Sequence, residues 1–210
     1  GISHDIRTPL TRLRMEIELS SLDEETKASM ADDITRIDAI VSKFVEYARA
    51  ASSERTADRI AAVPVLDTLE GVRQSYQARE QAGELALAIE ADEALRWRGD
   101  SLDLTRIVAN LLENALRYGA NPQTGIVQVR LAARRVAGGV ELSVADQGPG
   151  VPPQERARLL RPFSRLDSER SERGGSGLGL AIVSRLAQRY GGHCELGQTP
   201  RGGLTVRVVL

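Results

Sequence analysis

The residues best equipped for chemistry stand near the start, in Ser3-His4-Asp5-Ile6-Arg7-Thr8-Pro9-Leu10. A neutral imidazole carries a nucleophilic ring nitrogen, and an adjoining carboxylate can draw off its proton. Asp5 is that neighbour. Thr8 adds a hydroxyl one helical turn on, on the face that His4 occupies. Around them Ile2, Ile6, Leu10, Leu13 and Ile17 recur in steps of three and four, the seam of an amphipathic helix with a heptad-like pattern. His4 falls roughly 200° from Ile2 and Ile6 about that axis, so it is expected to face water. A merely solvated histidine would look the same, so the weight falls on three clusters further along.

In the first cluster Asn110, Glu113, Asn114 and Arg117 recur at helical spacing, expected opposite Ile107, Leu111 and Ala115. Amide oxygens suit a hard cation such as Mg²⁺, which fills its shell with water and phosphate. The second is Asp146-Gln147-Gly148-Pro149-Gly150, directly after a strand pattern. Its glycines let the backbone turn and approach a ligand, and its carboxylate can accept from an exocyclic amine such as that of adenine. The third, Gly174-Gly175-Ser176-Gly177-Leu178-Gly179-Leu180, opens a helix whose first N–H groups and dipole favour phosphate. It lacks the Lys-Ser/Thr of a Walker A loop and the spacing of a Rossmann fingerprint. Each alone would pass for a polar helix face, a turn or a hinge.

The elements that must position these residues follow from periodicity. A first helix is expected over 2–20, kinked where Pro9 removes a donor. Asp23 or Ser21 can cap a second over 26–50, striped by Ile34, Ile37, Val41, Phe44 and Ala48. The pair forms an antiparallel hairpin whose seam needs a cover, either a second copy completing a four-helix bundle or the downstream domain. Residues 52–57 are small and polar, a linker. Beyond it helices are predicted over 65–82, 103–118, 152–160 and 178–190. Strands are predicted over 85–90, 95–98, 127–133, 140–145, 194–196 and 204–209, with a mobile loop over 161–176. Helices on a mostly antiparallel sheet make a two-layer α/β sandwich.

Composition narrows the classes. The 210 residues suffice for one large domain or two small ones. With 28 Lys+Arg against 29 Asp+Glu, the balance speaks against a broad nucleic-acid surface. A lone cysteine, Cys194, excludes an intrachain disulfide and suits a reducing compartment. No apolar run approaches the ~20 residues of a membrane span. The chain opens inside a helix pattern without Met, so it is expected to be a piece of something longer.

Taken in this order, the clusters resemble the H, N, G1, F and G2 boxes of the catalytic core of sensor histidine kinases, over essentially the whole chain. Pro162-Phe163-Ser164-Arg165 matches the F box. The stretch from His4 to Arg12 is similar to the EnvZ-type osmosensing branch, which pairs with OmpR-type response regulators. The resemblance implies a dimerising, phosphoaccepting hairpin at 1–51 and an ATP-binding domain at 58–210 with the Bergerat fold of gyrase, Hsp90 and MutL ATPases. It implies ATP and Mg²⁺ as cofactors, a second copy and a response regulator as partners, and a cytoplasmic place within a bacterial inner-membrane protein.

Roles follow by the same resemblance. His4 would accept the phosphoryl group, with Asp5 as its base and Thr8 serving a phosphatase reaction. Arg165 would offset charge on the γ-phosphate. Asn114 would bind Mg²⁺. Asn110 stands where hydrolytic relatives carry a water-activating glutamate. Arg117, where Lys is usual, and Tyr118 would border the phosphates and ribose. Asp146 would contact the adenine amine, while Gly148, Gly150, Gly175, Gly177, Leu178 and Gly179 would shape the pocket and lid hinge. Two alternatives remain: a Bergerat-fold ATPase clamp, against which Asn110 and His4 speak, and a decayed dimerisation scaffold, against which the intact boxes speak.

Overall fold

A computed structural model of the chain describes residues 2–51, 60–166, 175–200 and 202–210, with side chains from residue 6 onward. The side chains of His4 and Asp5, the expected linker at 52–57, and Gly174 with the rest of 167–174 lie outside the described residues. Contacts divide the chain into two compact units, Gly1–Arg49 and Ala50–Leu210.

In the first unit, α1 (Ile2–Glu18) runs on through Pro9 as one helix, and α2 (Glu24–Ala51) follows a short polar turn. Asp23 is the residue that caps α2. Its Oδ1 accepts from the Thr26 N–H at 2.9 Å and its Oδ2 from the Thr26 hydroxyl at 2.7 Å. The Thr26 N–H, before any other group, holds the Asp23 carboxyl below its usual range. Arg7 ties the two helices, donating from Nε to Asp38 at 3.3 Å and from Nη2 to Ser42 at 3.0 Å. Ile17 is buried, yet Leu13, Ile37, Ile40 and Phe44 each keep nearly half of their surface exposed. A single hairpin therefore leaves its apolar seam bare.

The second unit runs β1 (Ala61–Pro64), α3 (Val65–Gln74), α4 (Gln77–Gln81), β2 (Leu85–Glu90), β3 (Arg96–Gly99), α5 (Ser101–Tyr118), β4 (Val127–Val136), β5 (Gly139–Asp146), α6 (Pro153–Leu159), α7 (Gly179–Arg189), β6 (His193–Gln198) and β7 (Leu204–Val209). Five strands form one sheet in the order β2-β4-β5-β7-β6, with β2 parallel to β4 and the other pairs antiparallel. On β5, Val140, Leu142, Val144 and Asp146 alternate into the core. They meet α5 and α7, whose buried stripes include Leu104, Ile107 and Leu111 on one helix and Ile182, Val183 and Leu186 on the other. The opposite sheet face is wet. It carries ion pairs of Arg130 with Glu90 and of Arg134 with Glu141. The fold is the expected two-layer sandwich.

Two details differ from the periodicity. The helix expected over 65–82 breaks at Tyr76, whose φ of −110° and ψ of 2° leave the helical region, so α3 and α4 are separate. The strand β1 was not anticipated, because four residues ending in proline carry almost no alternation. It pairs antiparallel with β3, where Trp97 is buried.

A buried polar cluster locks α5 to α7. Asp103, 2% exposed, accepts at Oδ1 from Arg106 at 3.0 Å, and at Oδ2 from Arg189 and from the Tyr190 hydroxyl, both at 2.9 Å. Tyr190 packs edge-on against Trp97 with ring centres 4.6 Å apart.

Candidate functional site

The alternation that builds the core of β5 also delivers Asp146, its last inward residue, to the end of the sheet next to α5. A carboxylate in that position must be held, and the backbone holds it. Oδ1 accepts from the Gly148 N–H at 2.9 Å and from the Leu204 N–H at 3.0 Å. Both bonds go to one oxygen, which leaves Oδ2 able to accept from a ligand. Burial pushes the carboxyl above its usual range, and the two N–H groups pull partly the other way.

The loops around Asp146 close in because they lack side chains. Gly203 has φ +82°, and a Cβ there would sit 2.2 Å from the Asp146 carbonyl oxygen. Gly148 lies against the backbone of Tyr118 and Gly119, and Gly150 against that of Gly203. Gly203 and Leu204 were missed in the sequence. Their signal was the Gly202-Gly203 pair before a strand.

On α5, capped by Asp100 through the Leu102 N–H, the four polar residues do not share one exposed face. Asn110 is buried at 3%, Asn114 is half-buried, and Glu113 and Arg117 are exposed. The expected placement opposite Ile107, Leu111 and Ala115 is corrected to a flank of the apolar stripe. At about 100° per residue Asn110 and Asn114 stand only about 60° and 20° from Ile107, and α7 lies over Asn110, where a Cβ on Gly179 would be in ordinary contact with its Oδ1 at 3.4 Å. The Asn110 amide donates to the Arg106 carbonyl at 2.8 Å.

The glycine-rich segment meets the end of α5 as well. A Cβ on Gly175 would lie 2.5 Å from Arg117 Nη1 and 2.8 Å from the Tyr118 hydroxyl oxygen. Gly177, at φ +67°, packs against the backbone of Phe163 and Ser164. Phe163 is exposed and itself has φ +61°, the left-handed region that costs a non-glycine residue energy. Leu178 is fully buried and anchors the start of α7. Arg165 is half-buried, its carbonyl accepting from Arg158 at 3.1 Å. Asp146, Asn110, Asn114, Arg117, Tyr118 and the glycines thus surround one region at the ends of α5, β5 and α7. Thr8 is exposed on α1, in the other unit.

This arrangement fits a nucleotide. It offers a fixed carboxylate acceptor, close-approaching glycine backbone at a helix start, and Arg117 for phosphate charge. Asn114 can lend an amide oxygen to Mg²⁺, an ion that takes much of its shell from phosphates and water rather than from a protein cage.

Comparison with known proteins gives the class. Residues 99–210 match the family of histidine kinase-, DNA gyrase B- and HSP90-like ATPases, and residues 1–53 match the His Kinase A (phospho-acceptor) domain. The chain belongs to the sensor histidine kinases and is their catalytic core, with an ATP-binding domain after a phosphoacceptor hairpin. It is 33% identical over 215 residues to sensor protein QseC of Escherichia coli K12, covering 98% of this chain and 45% of that protein. It is 32% identical over 211 residues to the sensor histidine kinase GtrS of Pseudomonas aeruginosa, covering 100% and 40%. Among solved structures, full-length ShkA in complex with AMPPNP superposes with a TM-score of 0.76 at 28% identity, over 100% of this chain and 45% of that one. The histidine kinase AdeS of Acinetobacter baumannii shares the fold with a TM-score of 0.68 at 17% identity, over 98% and 97%. The chain spans less than half the length of the curated relatives it matches.

Proposed function

We propose that the chain performs both transfers of a two-component sensor. ATP phosphorylates His4, and His4 passes the phosphoryl group to an aspartate of a response regulator of OmpR type. The supporting observation is the meeting of Gly175 with Arg117 and Tyr118, which gathers the end of α5 and the glycine-rich segment where phosphates would lie. Asp146 accepts the adenine amine, held in aim by the Gly148 and Leu204 N–H groups. Asn114 would hold Mg²⁺, which supplies charge neutralisation on the β- and γ-phosphates. Arg165, beside the Phe163 turn, offsets γ-phosphate charge as transfer proceeds.

In the first transfer a His4 ring nitrogen bonds to the γ-phosphorus while the bond to the bridging oxygen breaks. ADP leaves with that oxygen's electron pair, and Asp5 takes the imidazole proton. Asn110, an amide rather than a carboxylate, has no base to offer water, so transfer to His4 outruns hydrolysis. Thr8 orients water against the regulator's acyl phosphate, giving a phosphatase activity. The working unit is a homodimer formed through the bare hairpin seam, and the intact protein is anchored in a bacterial inner membrane with this part in the cytoplasm.

Labelling with ATP tagged on its γ-phosphate tests the reading. The expected product is acid-labile, alkali-stable protein phosphate that disappears in His4→Gln. Release of free phosphate alone would establish an ATPase instead, and no reaction a scaffold.

A further inference from the structure

A groove of about 520 Å³ lies between β1, α3 and α5, away from the nucleotide residues. One wall is a single stripe of α5, Ser101, Thr105 and Ala109, at spacing four. At about 100° per residue this stripe stands roughly 80° or more around the helix from Asn110, Asn114 and Arg117. The other wall is α3, with Asp67, Thr68 and Gly71. Val63 and Val72 are apolar lining, and the half-buried ring of Tyr76 also borders the groove.

Three polar groups of this groove are acceptors, beside the hydroxyls of Ser75, Tyr76 and Ser101. The Thr68 hydroxyl donates to the Pro64 carbonyl at 2.9 Å and the Thr105 hydroxyl to the Ser101 carbonyl at 2.9 Å. Each proton is thereby spent, and each oxygen keeps its lone pairs. Among the described residues the Asp67 carboxylate makes no ion pair or hydrogen bond, and it is the one charged group in the lining. Glu113 adds negative potential at Tyr76, whose hydroxyl is pushed up by burial first and by Glu113 second, with Arg79 opposing. Size and apolar walls suit a small molecule, and the aromatic wall and acceptors suit a cation.

We propose that this groove is a second binding site of the domain, for a small organic cation with an apolar body, an arylalkyl ammonium or amidinium. The head sits on Asp67 and the two threonine oxygens, and the body lies along Val63, Val72 and the Tyr76 ring.

Gly71 supplies the test. A Cβ there meets nothing within 4 Å, so Gly71→Leu fills open groove space and replaces a poor helix former. The full chain is titrated with benzamidine and phenethylamine, with benzyl alcohol as the uncharged comparison, and followed by amide NMR shifts. Saturable shifts at Thr68, Gly71 and Thr105 are expected at low-millimolar probe. They should vanish in Gly71→Leu and weaken about tenfold in Asp67→Asn, while both variants keep wild-type affinity for an ATP analogue. Shifts absent from the groove, confined to the nucleotide residues or undiminished in Gly71→Leu would overturn the site. Equal binding of benzyl alcohol would overturn the cation.

Discussion

Tyr190 donates its hydroxyl to Asp103 Oδ2 at 2.9 Å, joining the end of α7 to the first turn of α5 across 87 positions of chain. The two helices that frame the nucleotide region are thus fixed at the ends remote from it. Tyr190→Phe should cost roughly 1.5–3 kcal/mol in urea denaturation, the worth of a bond to a charged partner. Asp103→Ala should cost about 3–5 kcal/mol, because the Arg189 guanidinium is then buried without its carboxylate.

The same tyrosine gives an alkaline signature. Burial first, and then Asp103 and Asp100 despite the Asp100 N–H, push its hydroxyl from 10.0 up to about 12. A folded pKa above the unfolded one means that stability is intact below pH 10 and lost as pH rises toward about 12. Buried Cys194, pushed from 9.0 to about 12, adds a loss beginning one unit lower. Melting curves across this window should therefore flatten in Tyr190→Phe and flatten further with Cys194→Ala.

Asp146 separates binding from stability. Its carboxyl is raised by burial, so the folded domain holds the charged form at a cost. Asp146→Asn should leave the melting temperature unchanged or higher while weakening ATP roughly 5- to 150-fold, the equivalent of about 1–3 kcal/mol for an amine left unpaired. Wild-type affinity should also fall as pH drops toward the raised pKa, with Asp146→Asn showing a smaller slope. Calorimetry with undiminished affinity in the variant would sink the adenine contact.

Glycine at 203 is needed for space as well as angle. Gly203→Ala meets the Asp146 carbonyl at 2.2 Å, whereas Gly138, also at positive φ, has nothing within 4 Å of an added Cβ. Gly138→Ala should show the strain alone, about 1 kcal/mol. Gly203→Ala should melt lower still and lose ATP affinity with it.

Thr8→Ala should keep His4 phosphorylation and lose most dephosphorylation of a regulator that accepts phosphate from His4. Equal phosphatase rates in the two proteins would reduce Thr8 to a residue that merely precedes Pro9.

Legibility in the sequence followed the range of the forces involved. Period-2 alternation through Val140, Leu142 and Val144 marked β5 and placed Asp146 at its end, because neighbours along the chain set that pattern. The spacing of four through Ile107, Leu111 and Ala115 marked α5 in the same way. Asn110 was placed on the wrong side although helical angle sets it only about 60° from Ile107; that α7 covers it, through Gly179 69 positions away, is the part the angle does not carry. The Asp103 cluster was unreadable for the same reason: Arg189 and Tyr190 look like an ordinary helix end until the fold brings them to Asp103. Gly175 and Arg117 were assigned to one pocket through the resemblance alone; their positions 58 apart in the chain carry no sign of the contact that the fold makes.

Drift at position 110 is confined by packing. Asn110 is 3% exposed, its amide engaged by the Arg106 carbonyl and Gly179 at its oxygen. A glutamate there would place a charge among buried groups, with the Arg106 carbonyl as a poor partner for it. The exchange of that amide for a carboxylate would therefore carry a burial cost here that the same exchange on an exposed face of α5 would not.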